Sequence, residues 1–262
     1  MTHHQLRLMM PLLLRATLSC FLFVSVNVTA SPIRIAVASN FKQTLEAILP
    51  DFERAHPEAE IQVIAGSTGG LYAQIIHGAP FDIFLAADAD RPRRLLKKNE
   101  ALQIFHYATG VLVFWAPDST EQVTESTLRN TKRPIAIANH KTAPYGAAAK
   151  QALMSLNILE KKFVTGSNIN QSYQFVDSGN AETGFVALSQ MMNRIDQKEW
   201  WIVPYQHFEP IVQLGALLPN HHIDASIFLE FLLSETTQEK IAARGYKDLH
   251  DSNTTIHLEH AN

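Results

Sequence analysis

Cysteine is almost absent. Cys20 is the only one in 262 residues, so no internal disulfide framework supports the fold. Charge is also modest, with 22 basic residues against 25 acidic ones. A chain without a basic excess is poorly suited to nucleic acid, whose binding needs patches of lysine and arginine. Beyond residue 30 no apolar run is long enough to span a bilayer. His-Glu-x-x-His and Gly-x-Ser-x-Gly are both missing, and so is the Gly-Lys-Ser/Thr ending of a phosphate-binding loop. The sequence contains no internal repeat, low-complexity tract or flexible linker.

The first thirty residues read as a cleaved secretory signal. His3, His4 and Arg7 give a basic start, Ala16 to Val28 is an apolar run of 13 residues, and Val28-Thr29-Ala30 supplies a small-residue cleavage site. An uncleaved N-terminal anchor is the competing reading. Cys20 lies inside this segment, and Thr17-Leu18-Ser19-Cys20 is a poor lipid-attachment box because its leucine stands one position late. Without residues 1–30 the chain has 232 residues and a net charge of −5, from 20 basic and 25 acidic side chains. That length suits one large or two modest domains.

Hydrophobic patterning then alternates between two periods. Ile33 to Ala38 is apolar on both faces and predicts a buried strand, whereas Phe41, Leu45, Ile48, Leu49 and Phe52 form one helical stripe. Pro50 is expected to kink or shorten that helix. Ile61 to Ala65 and Ile83 to Leu85 read as strands around a short helix at Leu71 to Ile76, stopped by Gly78. Asp88 or Asp90 caps the next helix, with Pro92 in its first turn. Strands are expected at 111–115, 135–137, 184–187, 200–203 and 210–214, and helices at 145–156 and 169–177. Two terminal helices follow, the second opening on the capping box Thr236-Thr237-Gln238-Glu239 and ending near Gly245. Such alternation predicts an α/β fold with mainly parallel sheet, covered on both faces.

Three strand-to-helix junctions share one chemistry. They are Ala38-Ser39-Asn40-Phe41, Gly66-Ser67-Thr68-Gly69-Gly70 and Ala143-Pro144-Tyr145-Gly146. In open α/β sheets, ligands bind beyond the carboxyl ends of the strands. Helix N-termini there present free N–H groups and the positive end of the dipole to an anion. Taken singly, each junction is more readily a plain helix cap than a ligand contact. Together they offer hydroxyls and amides with no lysine, arginine or carboxylate, a donor set matched to a fully deprotonated anion.

Other clusters have simpler explanations. An adjacent pair such as His221-His222 cannot point both rings to one side of a strand, so a solvated turn is expected rather than a metal site. Asp82, Asp88 and Asp90 stand at element boundaries and fit caps and turns better than paired catalytic carboxylates. Trp200-Trp201 fits core or surface packing, and no nucleophile–base pair is evident.

The stretches "AVASNFKQTLEAILPDFE", "GSTGGLYAQIIHGAPFDIFLAAD", "APYGAAAKQAL" and "GNAETGFVALSQ" closely resemble the molybdate-binding proteins of ABC transporters. The resemblance runs from Ile33 to about Tyr246. It implies a type II periplasmic binding protein fold: two α/β lobes joined by crossing hinge strands, with the ligand in the cleft between them. Residues 31–111 and 211–262 would form lobe 1, and residues 112–210 lobe 2. The crossings would fall near Gly110 to Trp115 and Phe208 to Leu214. Ser39 and Asn40 would meet the oxyanion through hydroxyl and backbone amides, Ser67 through hydroxyl and amide, with Thr68 as a neighbour. Tyr145 and Ile169 would each give a backbone amide.

The same resemblance implies molybdate or tungstate as ligand, no cofactor or resident metal, and no catalysis. It also implies a periplasmic location, a membrane permease as partner, and a monomer. Many members place a tyrosine after the Gly-hydrophobic-Val run, but here Ala187 follows Gly184-Phe185-Val186, and Asn40 or Tyr145 is expected to supply the missing donor. A receptor for sulfate or another oxyanion is the alternative of the same class. A secreted α/β enzyme acting on a phosphorylated or sulfated small molecule is the alternative of another.

Overall fold

A computed structural model describes residues 31–194 and 196–247, together with the backbone of 258–260. The expected signal segment and Cys20 lie outside these residues. In chain order the first elements are β1 (Ile33–Ala38), α1 (Lys42–Ala55), β2 (Ile61–Gly66), α2 (Thr68–Ile76), β3 (Ile83–Leu85), α3 (Asp90–Lys97) and β4 (Gln103–Gly110). After Val111 come β5 (Leu112–Trp115), α4 (Glu125–Asn130), β6 (Ile135–Ala138), α5 (Pro144–Ser155), β7 (Phe163–Gly166), α6 (Ile169–Asp177), β8 (Thr183–Ala187) and β9 (Trp200–Ile202). The last are β10 (Ile211–Leu217), α7 (Ala225–Leu233), α8 (Glu235–Ala242) and β11 (Leu258–His260).

The strands form two sheets, ordered β11-β4-β10-β3-β1-β2 and β7-β6-β8-β5-β9. Each is mixed, which corrects the expectation of mainly parallel pairing. In the first sheet β1 runs parallel to β2 and β3, while β10 is antiparallel to both β3 and β4. In the second β6 runs parallel to β7 and β8, and β5 is antiparallel to β8 and β9. The antiparallel pairs arise because one extended run, β4 to β5, passes from the first sheet to the second across Val111 alone. The chain later returns through β10 beside β4.

Burial follows the two-residue strand period. Ile33, Ile35 and Val37 join Phe41, Leu45, Ile48, Phe52 and Phe228 on one face of the first sheet. Ala36 packs with Leu71, Phe84, Leu95 and Ile104 on the other. The second sheet divides likewise, with Leu112 and Phe114 on one face and Val113 and Trp115 on the opposite one.

Local expectations are corrected at several points. Pro50 neither ends α1 nor shortens it, since the helix runs on to Ala55. It stands on an exposed position, as does Glu46, whose carbonyl solvent can reach in place of the N–H that proline lacks. The cap of α8 is Ser234, not the box at Thr236; its hydroxyl oxygen accepts from the Thr237 N–H at 3.4 Å. Asp88 stands one residue before the N-cap of α3 and accepts from the Arg91 N–H at 3.0 Å. Strands β4 and β7 and the short α4 were not expected from the pattern. Gln103, His106, Tyr107 and Thr109 break the apolar signature of β4, yet the strand is almost wholly buried.

Phe52 anchors α1 against α7, its ring centroid 5.2 Å from that of Phe228 and 5.3 Å from that of Phe231. Truncating a fully buried phenylalanine costs about 3–5 kcal/mol. Phe52→Ala is therefore expected to lower the melting temperature by about 6–20 °C, measured by thermal unfolding without ligand.

Candidate functional site

Four strand-to-helix junctions converge on one cavity. The β1–α1 turn brings Ser39 and Asn40, the start of α2 brings Ser67 and Thr68, α5 brings Pro144 and Tyr145, and α6 brings Asn168 and Ile169. All six residues singled out in the sequence, Ser39, Asn40, Ser67, Thr68, Tyr145 and Ile169, line this cavity together with Ala38, Gly66, Ala87 and Ala143. The cavity is small, about 10 Å³, so only a compact guest is admitted. Two larger cavities measure about 690 and 430 Å³, the second adjoining the small one through Ala87, Ala143 and Pro144. They have charged walls and lack this concentration of helix starts, so chemistry rather than size selects the small one.

No lining residue carries a charge. The donors are instead peptide groups left over by local structure. The first N–H groups of a helix have no acceptor within it, and α2, α5 and α6 all begin here. The backbone N–H groups of Asn40, Ser67, Thr68, Tyr145 and Ile169 meet no protein acceptor among the described residues. Ser39 differs from expectation, because its N–H donates to the Gly66 carbonyl at 2.9 Å. Only its hydroxyl remains to face the cavity. The Ser67 hydroxyl oxygen accepts from the Gly70 N–H at 3.2 Å, and that of Thr68 from the Ala87 N–H at 3.0 Å. Each keeps its own hydrogen to donate.

The rim is closed by two bonds between the β2–α2 and α3 side and the β6–α5 side. Gly69 N–H donates to the Thr142 carbonyl at 2.8 Å, and Arg91 Nη2 to the Lys141 carbonyl at 3.2 Å. A side chain at position 69 would press on the Thr142 backbone, with its Cβ 3.0 Å from Cα. Behind the cavity lies a buried polar network that sequence reading missed. Asn40 Nδ2 donates to Gln213 Oε1 at 3.0 Å and to the Tyr246 hydroxyl at 3.1 Å. The Tyr145 hydroxyl accepts from Gln213 Nε2 at 3.3 Å. The one available signal was a glutamine between Val212 and Leu214 in an apolar strand.

This network bears on the expected compensation at Ala187. That alanine is fully buried, its N–H donating to Gln190 Oε1 at 3.0 Å. The side chains of Asn40 and Tyr145 are engaged behind the cavity, so these residues have backbone N–H groups to offer instead. Burial raises the phenol of Tyr145, and likewise that of Tyr107, well above the ordinary tyrosine value, and pushes Tyr246 up to about 12. All three remain neutral through the physiological range.

Elsewhere the structure disperses the remaining candidates. His222 donates its N–H to Asp82 Oδ1 at 2.6 Å, and the same carboxylate accepts from the Arg34 N–H at 2.6 Å. The histidine pair is thus a partly buried braced turn, not a solvated one. Asp90 pairs with Arg94 on the surface. Trp200 and Trp201 pack on opposite faces of the second sheet. No group of three or more histidine, cysteine, aspartate or glutamate side chains is placed to hold a metal among the described residues.

Comparison with known proteins agrees with this architecture. Residues 33–247 match the family described as bacterial extracellular solute-binding protein. The chain is 39% identical over 228 residues to the molybdate-binding protein ModA of Azotobacter vinelandii, covering 83% of this chain and 90% of that one. It is 36% identical to the ModA of Rhodobacter capsulatus over 225 residues, covering 83% and 88%. The solved periplasmic molybdate-binding protein of Azotobacter vinelandii superposes with a TM-score of 0.77 at 32% identity, over 82% of this chain and 98% of that one. The two sheets are thus the two lobes of a periplasmic binding protein fold, and the chain belongs to the bacterial extracellular solute-binding proteins, within their ModA family.

Proposed function

We propose that this chain is the periplasmic receptor of an ABC transporter, binding molybdate, and tungstate similarly, for delivery to a membrane permease. The observation that carries the reading is the uncharged cavity at the starts of α2, α5 and α6, with five unpaired N–H groups around it. The ModA relatives, named as molybdate-binding, point to the same ligand. Hydrogen bonds to a charged group contribute about 1.5–3 kcal/mol each. Five amides and the hydroxyls of Ser39 and Ser67 together offset the large cost of stripping water from a dianion. A protonated phosphate would need an acceptor for its hydrogen, and no lining residue carries a carboxylate. Sulfate is a smaller tetrahedron, which fixed donors set for molybdate meet poorly.

In this reading residues 1–30 are the export signal. Residues 31–111 with 211–262 move as one lobe and 112–210 as the other, closing on the anion as a monomer. No cofactor takes part, and the cavity has no nucleophile–base pair to support catalysis.

Three measurements test the proposal. Molybdate or tungstate at about a thousand times its dissociation constant adds about 4 kcal/mol, so the melting temperature is expected to rise by about 8–16 °C. Sulfate and phosphate at the same concentration should produce little shift; an equal rise with sulfate would make the protein a general oxyanion receptor. Ser67→Ala removes one hydroxyl donor and the cap of α2. Titration calorimetry should show affinity reduced by about tenfold or more, and the ligand-free protein should lose about 1 kcal/mol. Undiminished affinity would remove Ser67 from the site.

The pH dependence follows from the tyrosines. Their raised values mean the stability they contribute is complete below the unfolded phenol value of about 10 and is lost only as pH climbs through the folded one. Tungstate affinity is therefore expected to stay level between about pH 7 and pH 9. A steep change in calorimetric titrations across that window would reveal an ionisable group in the cage.

A further inference from the structure

Gln213 does not line the cavity, yet it holds two residues that do. It is fully buried on β10, where the pairing with β4 shifts register between Gln213 and Leu214. Gln213 faces Ala108 and Leu214 faces His106, so Tyr107 is left without a partner of its own. Such a bulge re-aims side chains and is common beside functional sites. The amide oxygen of Gln213 accepts from Asn40 Nδ2 and from the Tyr107 hydroxyl, both at 3.0 Å. Its Nε2 donates to the Tyr145 hydroxyl at 3.3 Å.

Asn40 follows β1 in the first sheet, whereas Tyr145 opens α5 against the second. One rigid amide therefore spans the two halves of the cage, acting as acceptor toward one and donor toward the other. Gly110 makes room for the junction: a Cβ there would lie 2.8 Å from Gln213 Nε2 and would overlap the Tyr145 hydroxyl. The Asn40 carbonyl is fixed as well, accepting from the Tyr246 hydroxyl at 2.9 Å and from the Ser189 hydroxyl at 3.1 Å. Asn40 thus has little freedom to move except with Gln213.

We propose that Gln213 is a positioning residue that sets the separation of the Asn40 and Tyr145 N–H groups, and with it the size of oxyanion the cage accepts. The inference rests on the oxyanion-binding reading above. Only a primary amide of this length fits the role. Methionine fills the volume but neither donates nor accepts strongly, and asparagine keeps the head group but is one methylene short.

Calorimetry with molybdate and sulfate on the wild-type mature protein and three variants tests it. Gln213→Met is expected to weaken molybdate binding by about tenfold or more. Gln213→Asn should shift the molybdate-to-sulfate affinity ratio toward the smaller anion by about tenfold. Tyr107→Phe removes a bond to the same amide oxygen from a residue outside the cage. It should lower the melting temperature while leaving the ratio unchanged. If Gln213→Met fails to fold, Gln213→Asn and Tyr107→Phe still decide the matter, because a purely structural role moves stability and not the ratio. An unchanged ratio in Gln213→Asn, or an equal change in Tyr107→Phe, overturns the proposal while leaving wild-type molybdate binding intact. A wild-type protein that binds neither anion overturns the functional reading itself and this inference with it.

Discussion

Peptide N–H groups that a helix cannot satisfy from within are the feature on which the site depends. Each α-helix leaves its first turn of donors unpaired, and a buried donor without a partner is costly. Here three helices begin around one small cavity whose walls carry no charge. An anion would satisfy those donors, and the aligned peptide dipoles would favour it. A cage of this kind reads shape and protonation state together, because its donors stand at fixed positions and it has little to offer a bound hydrogen. A lysine would attract anions more strongly but would discriminate less among them, since its ammonium is a mobile point charge.

The rest of the fold serves that convergence. Parallel strands β1, β2 and β3 deliver their carboxyl ends to one edge of the first sheet, and β6 and β7 do so in the second. The antiparallel strands β4, β5 and β10 contribute no donors to the cage. They join the sheets and carry Gln213, whose neighbours on either side touch different halves of the site. Apolar packing on both faces of each sheet holds the turns in register. The polar groups behind the cavity are bonded to one another, which avoids the cost of isolated buried polarity.

Much of this was legible in the chain itself, for identifiable reasons. Ile33 to Ala38 announced β1 because both of its faces are covered, and Ser39, Ser67 and Tyr145 marked junctions because small or hydrogen-bonding residues followed apolar runs. The family resemblance added Ile169, which no local pattern distinguishes from a core residue. What stayed hidden depends on distant partners. Strand β4 looks polar, yet its Tyr107 hydroxyl finds Ala86 and Gln213 far along the chain. Pairing direction was misjudged because alternating strands and helices do not reveal where a chain crosses between sheets. Pro50 misled for the opposite reason: an exposed carbonyl loses little when water replaces its helical donor.

The two bonds at the rim differ in kind from the network at the rear. The Gly69–Thr142 and Arg91–Lys141 contacts each engage a main-chain carbonyl near the protein surface, where solvent stands ready to replace either partner. Asn40, Gln213 and Tyr145 are sealed from water, and separating them would strand polar atoms in an apolar setting. Opening at the rim would therefore cost less than opening at the rear, since only the rear would leave buried polar atoms without partners.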